Sequence, residues 1–254
     1  MFRTGRVVDG TGAPWYRADV AVRGDTIAAV GSSLTGEAGR TVDLEGRVIA
    51  PGFIDVHTHA RRGLLDVPTA DNYLLQGVTT LFDGQDGFSP LPLGEFLARV
   101  AALPPAVNFG SFVGHGSVRG EVLGAEDRAP TADELDEMVA LVAESMREGA
   151  FGLSTGLFYV PGAFATTEEV VTLARVAGER GGIHVSHMRD EAAGVLDSVG
   201  ETVRIGEEGG LPTQVTHHKI IGREGWGKSV ETLRLVAAAR RRGVDVTIDQ
   251  YPYT

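Results

Sequence analysis

From Pro51 to the end of the chain, short apolar runs alternate with longer stretches of helical period, and no other feature restricts the fold as strongly. Seven runs read as strands: Phe53 to His57, Thr79 to Asp83, Val107 to Val113, Phe151 to Thr155, Ile183 to His187, Thr213 to His217 and Val244 to Asp249. The clearest helix between them is Asp133 to Glu148, where Leu135, Val139, Val142 and Met146 recur at helical spacing. Thr131 precedes it as an N-cap, and Glu134, three residues on, completes a capping box. Thr166 to Arg180 and Ser229 to Arg242 have the same character. Strands alternating with helices are the sequence form of βαβ units, so the expected fold class is α/β with a parallel sheet.

Residues 1–51 carry short β-like runs broken by glycine: Arg6 to Val8, Asp19 to Val22 turning at Gly24-Asp25 into Ile27 to Val30, and Arg47 to Ile49. They read as a small N-terminal β-domain, leaving 52–254 for the strand–helix series. A TIM-type (β/α)8 barrel takes eight strands and about 250 residues. The expectation is therefore the first seven strands of such a barrel, interrupted before the eighth.

Composition narrows the function. A formal net charge of −11 opposes a nucleic-acid footprint or a polybasic membrane surface, since both need clustered Lys and Arg. The chain has no cysteine, which excludes disulfides and thiolate metal sites and suits a reducing, cytoplasmic setting. No apolar run approaches the roughly 18 residues of a membrane span, and the residues after Met1 lack a signal-peptide core. A small-molecule partner is expected.

Pro51-Gly52-Phe53-Ile54-Asp55-Val56-His57-Thr58-His59 reads as a turn entering a strand. Strand alternation would put His57 and His59 on one face, where two imidazoles can grip one cation. His187 and His217 close two later strand candidates. The C-terminal ends of parallel barrel strands share one mouth, so four of the seven histidines converge on one metal site in this reading.

At these residues the chain resembles the amidohydrolase superfamily and, within it, the N-acyl-D-amino-acid deacylases. The segments that carry the resemblance are PGFIDVHTH, GVTT, VGHGSVR, GAFGLSTGLFYVPG, SHMRDEA, THHK, WGKSVETL and DQYPYT, in that order along essentially the whole chain. The resemblance implies a (β/α) barrel beside a small β-domain and metal-assisted hydrolysis of an N-acyl bond. It makes His57, His59, His187 and His217 metal ligands, with His217 preferred to His218 because it preserves a thirty-residue interval from His187. Lys219, Tyr159 and Tyr251 match substrate-contacting residues of the family, and Arg189 is a second candidate clamp for the carboxylate of an N-acyl amino acid.

Two departures stand out. The fourth strand, Gly152-Leu153-Ser154-Thr155-Gly156, lacks the metal-bridging lysine of many amidohydrolases, and Asp86 stands where N-acyl-D-amino-acid deacylases place a cysteine. A carboxylate is a harder ligand than a thiolate, so one or two Zn²⁺ ions are expected with Mn²⁺ or Co²⁺ as alternatives. The family's catalytic Asp, which shuttles a proton from the metal-bound water to the leaving amine, falls on an eighth strand beyond Thr254, and no catalytic residue is assigned within the chain. A metal-binding but inactive fragment or subunit is thus an alternative reading, as is an amidohydrolase acting on cyclic amides or dipeptides. Gly222 to Ser229 also satisfies the phosphate-loop pattern G-x-x-x-x-G-K-[ST], but a nucleotide hydrolase would leave the four strand-end histidines unexplained.

Overall fold

The computed structural model describes residues 1–251; Pro252, Tyr253 and Thr254, the end of the DQYPYT segment, lie outside the described residues. Contacts divide the described chain after Phe53. In the first unit, β1 (Phe2–Val7) pairs antiparallel with β2 (Tyr16–Arg23), which hairpins into β3 (Thr26–Gly31). Two short strands, β4 (Val42–Asp43) and β5 (Val48–Ile49), add in parallel to β1. Val7, Ala18 and Val20 form its buried centre. The sequence reading did not anticipate β4, which is too short to show a period.

The second unit is a series of parallel strands joined by helices. β6 (Phe53–Asp55), β7 (Val78–Asp83) and β8 (Asn108–Ser111) form one sheet in that order. β9 (Val113–Gly114), β10 (Gly152–Gly156), β11 (Ile183–His187), β12 (Thr213–Val215) and β13 (Val246–Ile248) form another, each parallel to the next. Among the described residues, seven α-helices follow the chain: α1 (Asp71–Leu74), α2 (Leu93–Ala102), α3 (His115–Leu123), α4 (Ala132–Arg147), α5 (Thr167–Gly178), α6 (Val195–Gly209) and α7 (Ser229–Arg241).

Local chemistry explains these elements. Thr131 accepts from the Glu134 amide at 3.3 Å while the Glu134 carboxylate takes the Thr131 amide at 2.7 Å, the expected capping box of α4. Thr166 caps α5 through the Glu169 amide. Leu153 and Val113 of the sheet are fully buried with Met138 and Val142 of α4 and Val170, Leu173 and Ala174 of α5. Each such Val, Leu or Met side chain contributes about 1.5–3 kcal/mol. The order β9 to β13 with helical crossovers sends every strand's C-terminal end to one rim, the place where α/β sheets hold ligands.

The run Val107 to Val113 divides at Phe112: its first part pairs with β7 and its last with β10. Phe112 N–H donates to Asp83 O, and Phe151 N–H to Ser111 O, so hydrogen bonding continues on both sides of the break. β6 ends at Asp55 and β12 at Val215, so His57, His59 and His217 follow strands rather than sit in them. Among the described residues, no helix is long and apolar enough to cross a membrane.

His184 on β11 shows the other use of a histidine here. It is fully buried, with Nε2 2.9 Å from Thr155 Oγ1 and Nδ1 2.8 Å from Thr213 Oγ1. Burial pushes its pKa down from 6.5 to about 3, with a smaller contribution from His115. Between those values the unfolded chain binds a proton that the fold refuses, so stability rises with pH. We expect stability to fall by roughly 1 kcal/mol per pH unit on this account as pH drops below 6.5. Denaturant unfolding from pH 7 to 4 checks this: His184→Gln should flatten the profile, and an unchanged slope would refute the assignment.

Candidate metal centre

The rim gathers the sequence-predicted ligands by three loops, after β6, β7 and β12, and by the end of β11. After β6, the Asp55 carboxylate accepts from the His57 amide at 3.1 Å and turns the chain out of strand geometry. Thr58 then ties to Phe82 O through both its amide and its hydroxyl, and buried Asp83 accepts from the amide and guanidinium of Arg61. His57 and His59 are thereby fixed against the end of β7. Strand alternation was the wrong cause for their proximity; these loop bonds supply it.

Asp86 follows β7 in a left-handed conformation, φ 57°. Such a backbone costs on the order of 1–3 kcal/mol outside glycine and persists only where the surroundings over-determine it. They do so here. Ser154 Oγ on β10 donates to Gly84 O and accepts from the Gly87 amide at 3.2 Å, spanning the loop. Gly156 meets the Asp86 carbonyl so closely that an added Cβ would overlap it. His217 is the other candidate ligand with positive φ, at 37°, and its amide donates to Asp249 beyond β13.

The result is a carboxylate surrounded by imidazoles. Asp86 Oδ1 lies 3.6 Å from His57 Nε2, 3.4 Å from His187 Nδ1 and 3.5 Å from His217 Nε2, and Oδ2 lies 3.3 Å from His59 Nε2. Asp86 Oδ1 is buried and has no hydrogen-bond partner. Two groups, His57/His59/Asp86 and Asp86/His187/His217, each bring their ligand atoms within 4.8 Å of one another. A buried acceptor with no donor, faced by several convergent imidazole nitrogens, fits a cation better than it fits a closed hydrogen-bond network.

The electrostatics agree. Burial opposes ionisation of Asp86, but His187, His217, His57 and His59 outweigh it and hold the carboxyl far below the usual range. Burial likewise opposes charging of His57, yet Asp249 and Asp86 push its pKa up to about 9. The imidazoles and the acids thus favour positive charge between them, which a divalent ion supplies more effectively than protons.

These groups line a cavity of about 620 Å³, within the usual size of small-molecule sites. Lys219, Tyr159 and Tyr251 line it as well. Tyr159 lies over His187, ring centroids 4.6 Å apart, and burial together with Asp86 and Glu191 raises its pKa, keeping the hydroxyl a donor. Arg189 is a correction. It does not line this cavity, because its guanidinium is spent on Glu201, at 2.9 and 3.0 Å, and on the carbonyls of Ala163 and Ala165. Three acids that sequence reasoning did not place in the site line it: Asp55, Glu191, four residues past His187, and Asp249, which closes the last strand candidate. The acidic run Asp190-Glu191 beside a ligand was the available signal.

The chain is similar to several known proteins. D-aminoacylase of Alcaligenes xylosoxydans xylosoxydans is 40% identical over 98% of this chain. The chain spans about half the length of that relative, 56%. A solved structure of D-aminoacylase described by its binuclear metal centre superposes with a TM-score of 0.94 at 40% identity, covering 99% of this chain and 58% of that one. N-acyl-D-glutamate deacylase of Bordetella bronchiseptica, solved with zinc and a phosphonate inhibitor, superposes with a TM-score of 0.92 at 39% identity over the same shares. The amidohydrolase family profile matches residues 40–253. The chain therefore belongs to the amidohydrolase family.

Proposed function

We propose that the chain is the metal-binding part of an N-acyl-D-amino-acid deacylase, and that its rim holds one or two divalent ions, zinc above all. The observation that carries this is Asp86 within 3.3–3.6 Å of four imidazole nitrogens. In this reading Asp86 bridges the two groups, with His57 and His59 on one side and His187 and His217 on the other. The relatives' substrates, N-acyl D-amino acids, set the substrate class. We also propose that the two parallel sheets belong to a TIM-type barrel over residues 52–254, with residues 1–51 in the small β-domain.

A bound divalent ion supplies a water of lowered pKa and polarises the amide carbonyl. The protein's own groups position the substrate. Tyr159, neutral and facing the ligands, donates a hydrogen bond to an oxygen of the scissile amide or of the substrate carboxylate. Lys219 and Tyr251 line the same cavity and orient the free carboxylate. The resemblance places the proton-shuttling Asp on an eighth strand, outside residues 1–254.

The test is release of free amino acid from N-acetyl-D- and N-acetyl-L-amino acids. It is run on the zinc-loaded chain and on a form extended downstream to the length of the relatives. The extended form is expected to turn over the D-substrates preferentially and to lose activity with a chelator. The short chain should be slower by roughly 10²- to 10⁴-fold, the usual worth of general acid–base help. Chelator-insensitive turnover, or equal rates on both enantiomers, would contradict the proposal.

A further inference from the structure

Glu191 is buried, with its side chain only 5% exposed, yet no part of the proposed reaction uses it. Its two oxygens address two different imidazoles. Oε1 lies 3.1 Å from His217 Nδ1, and Oε2 lies 3.8 Å from His187 Nε2. The opposite nitrogens of those rings, His217 Nε2 and His187 Nδ1, face Asp86 and lie 2.8 Å apart. Each ring thus has one nitrogen toward Glu191 and the other toward the proposed metal position.

The tautomers follow. A neutral imidazole has one N–H and one lone pair, and a metal ligand must aim the lone pair at the ion. His217 must then carry its proton on Nδ1 and His187 on Nε2, both pointing at Glu191. A carboxylate is acceptor-only at both oxygens, so it can receive both protons; an amide cannot, because one of its two ends is a donor. Lys219 bears on the same choice. Its Nζ lies 3.0 Å from His217 Nδ1 and 2.6 Å from Glu191 Oε1. A bond from Lys219 to Nδ1 would force the proton onto Nε2 and close that nitrogen to a metal. Glu191 draws the ammonium to itself and leaves Nδ1 to donate.

We propose that Glu191 is a positioning residue that selects the metal-binding tautomers of both His187 and His217, with Lys219 as its counter-ion. This rests on the metal site proposed above. Groups of this kind beyond the ligands are commonly worth roughly 10- to 100-fold in metal affinity.

The experiment is a zinc-affinity measurement by competition with a chromophoric chelator, together with the visible absorption of the Co²⁺-loaded protein, for wild type, Glu191→Gln and Lys219→Met. Glu191→Gln keeps the shape but presents a donor to one of the two rings. It should weaken zinc roughly 10- to 100-fold and change the Co²⁺ spectrum. Lys219→Met frees Glu191 for the imidazoles, and zinc should bind as tightly as to wild type or more tightly. Wild-type affinity in Glu191→Gln would overturn the inference while leaving the metal site standing. Equal losses in the two variants would make the Glu191–Lys219 pair a mere fold-holding ion pair and would also overturn it. Should Glu191→Gln not fold, Lys219→Met decides alone, because a tenfold weaker zinc site there contradicts the tautomer argument. Failure of wild type to bind zinc at all would instead sink the proposed site.

Discussion

Asp86→Ala is expected to abolish tight divalent-metal binding, with a loss exceeding roughly 100-fold, more than groups outside the ligand set usually cost. The reason is geometric. Asp86 belongs to both candidate ligand groups, so its removal leaves two histidines on each side and no anion between them. The left-handed backbone at Asp86 and the Ser154 clamp on its loop hold the carboxylate at that position before any ion arrives. Asp86→Cys should behave differently. A thiolate is softer than a carboxylate, so the variant should retain metal while its preference for Zn²⁺ over Mn²⁺ rises. Competition titrations with both ions check this; unchanged relative affinities would mean that residue 86 is not a ligand.

Glu169→Ala should cost about 3–5 kcal/mol of folding stability, the usual result of leaving a buried charge without its partner. Glu169 sits in the first turn of α5 and is nearly inaccessible. Its oxygens meet His115 Nε2 at 2.8 Å and Arg119 Nη1 at 2.5 Å, both on fully buried side chains of α3. Burial opposes its charge, but His115 and Arg119 outweigh it and hold its pKa below the ordinary value. That stabilisation is present above the unfolded carboxyl's pKa and is lost as pH falls through the lower folded one. The effect reaches the rim because α3 abuts the Asp86 loop: the Ser117 amide donates to Gly87 O at 3.0 Å. Denaturant unfolding measures it. A double variant, Arg119→Met with Glu169→Leu, should lose less than Glu169→Ala alone, since it removes the stranded charge. A cost below about 1 kcal/mol for Glu169→Ala would show that water reaches Arg119.

What could be read from the residues was whatever is local in sequence. The capping box at Thr131 and Glu134 and the spacing of the helix behind it need only neighbouring residues, and they hold. His187 does close its strand. The positions of His57, His59 and His217 depend on Asp55, Phe82 and Asp249, partners distant in sequence or turns that end the strand early, and period-two alternation does not encode those. Arg189 looked available because its partner Glu201 lies on the next helix. Glu191 had only its place beside Asp190 and near His187 as a signal, and Asp249 only its place at the end of a strand candidate; the convergence of three strand ends is what makes them part of the site. Asp86 was legible through family resemblance alone, because Asp between glycines otherwise reads as a turn.

The central claim is that one metal position exists where Asp86, His187 and His217 meet, with His57 and His59 beside it. Anomalous diffraction at the zinc edge, from crystals grown with zinc, tests it most directly. The account predicts a peak about 2 Å from Asp86 Oδ1, His217 Nε2 and His187 Nδ1. A map from folded, zinc-saturated protein with no peak within coordination distance of Asp86 would contradict it.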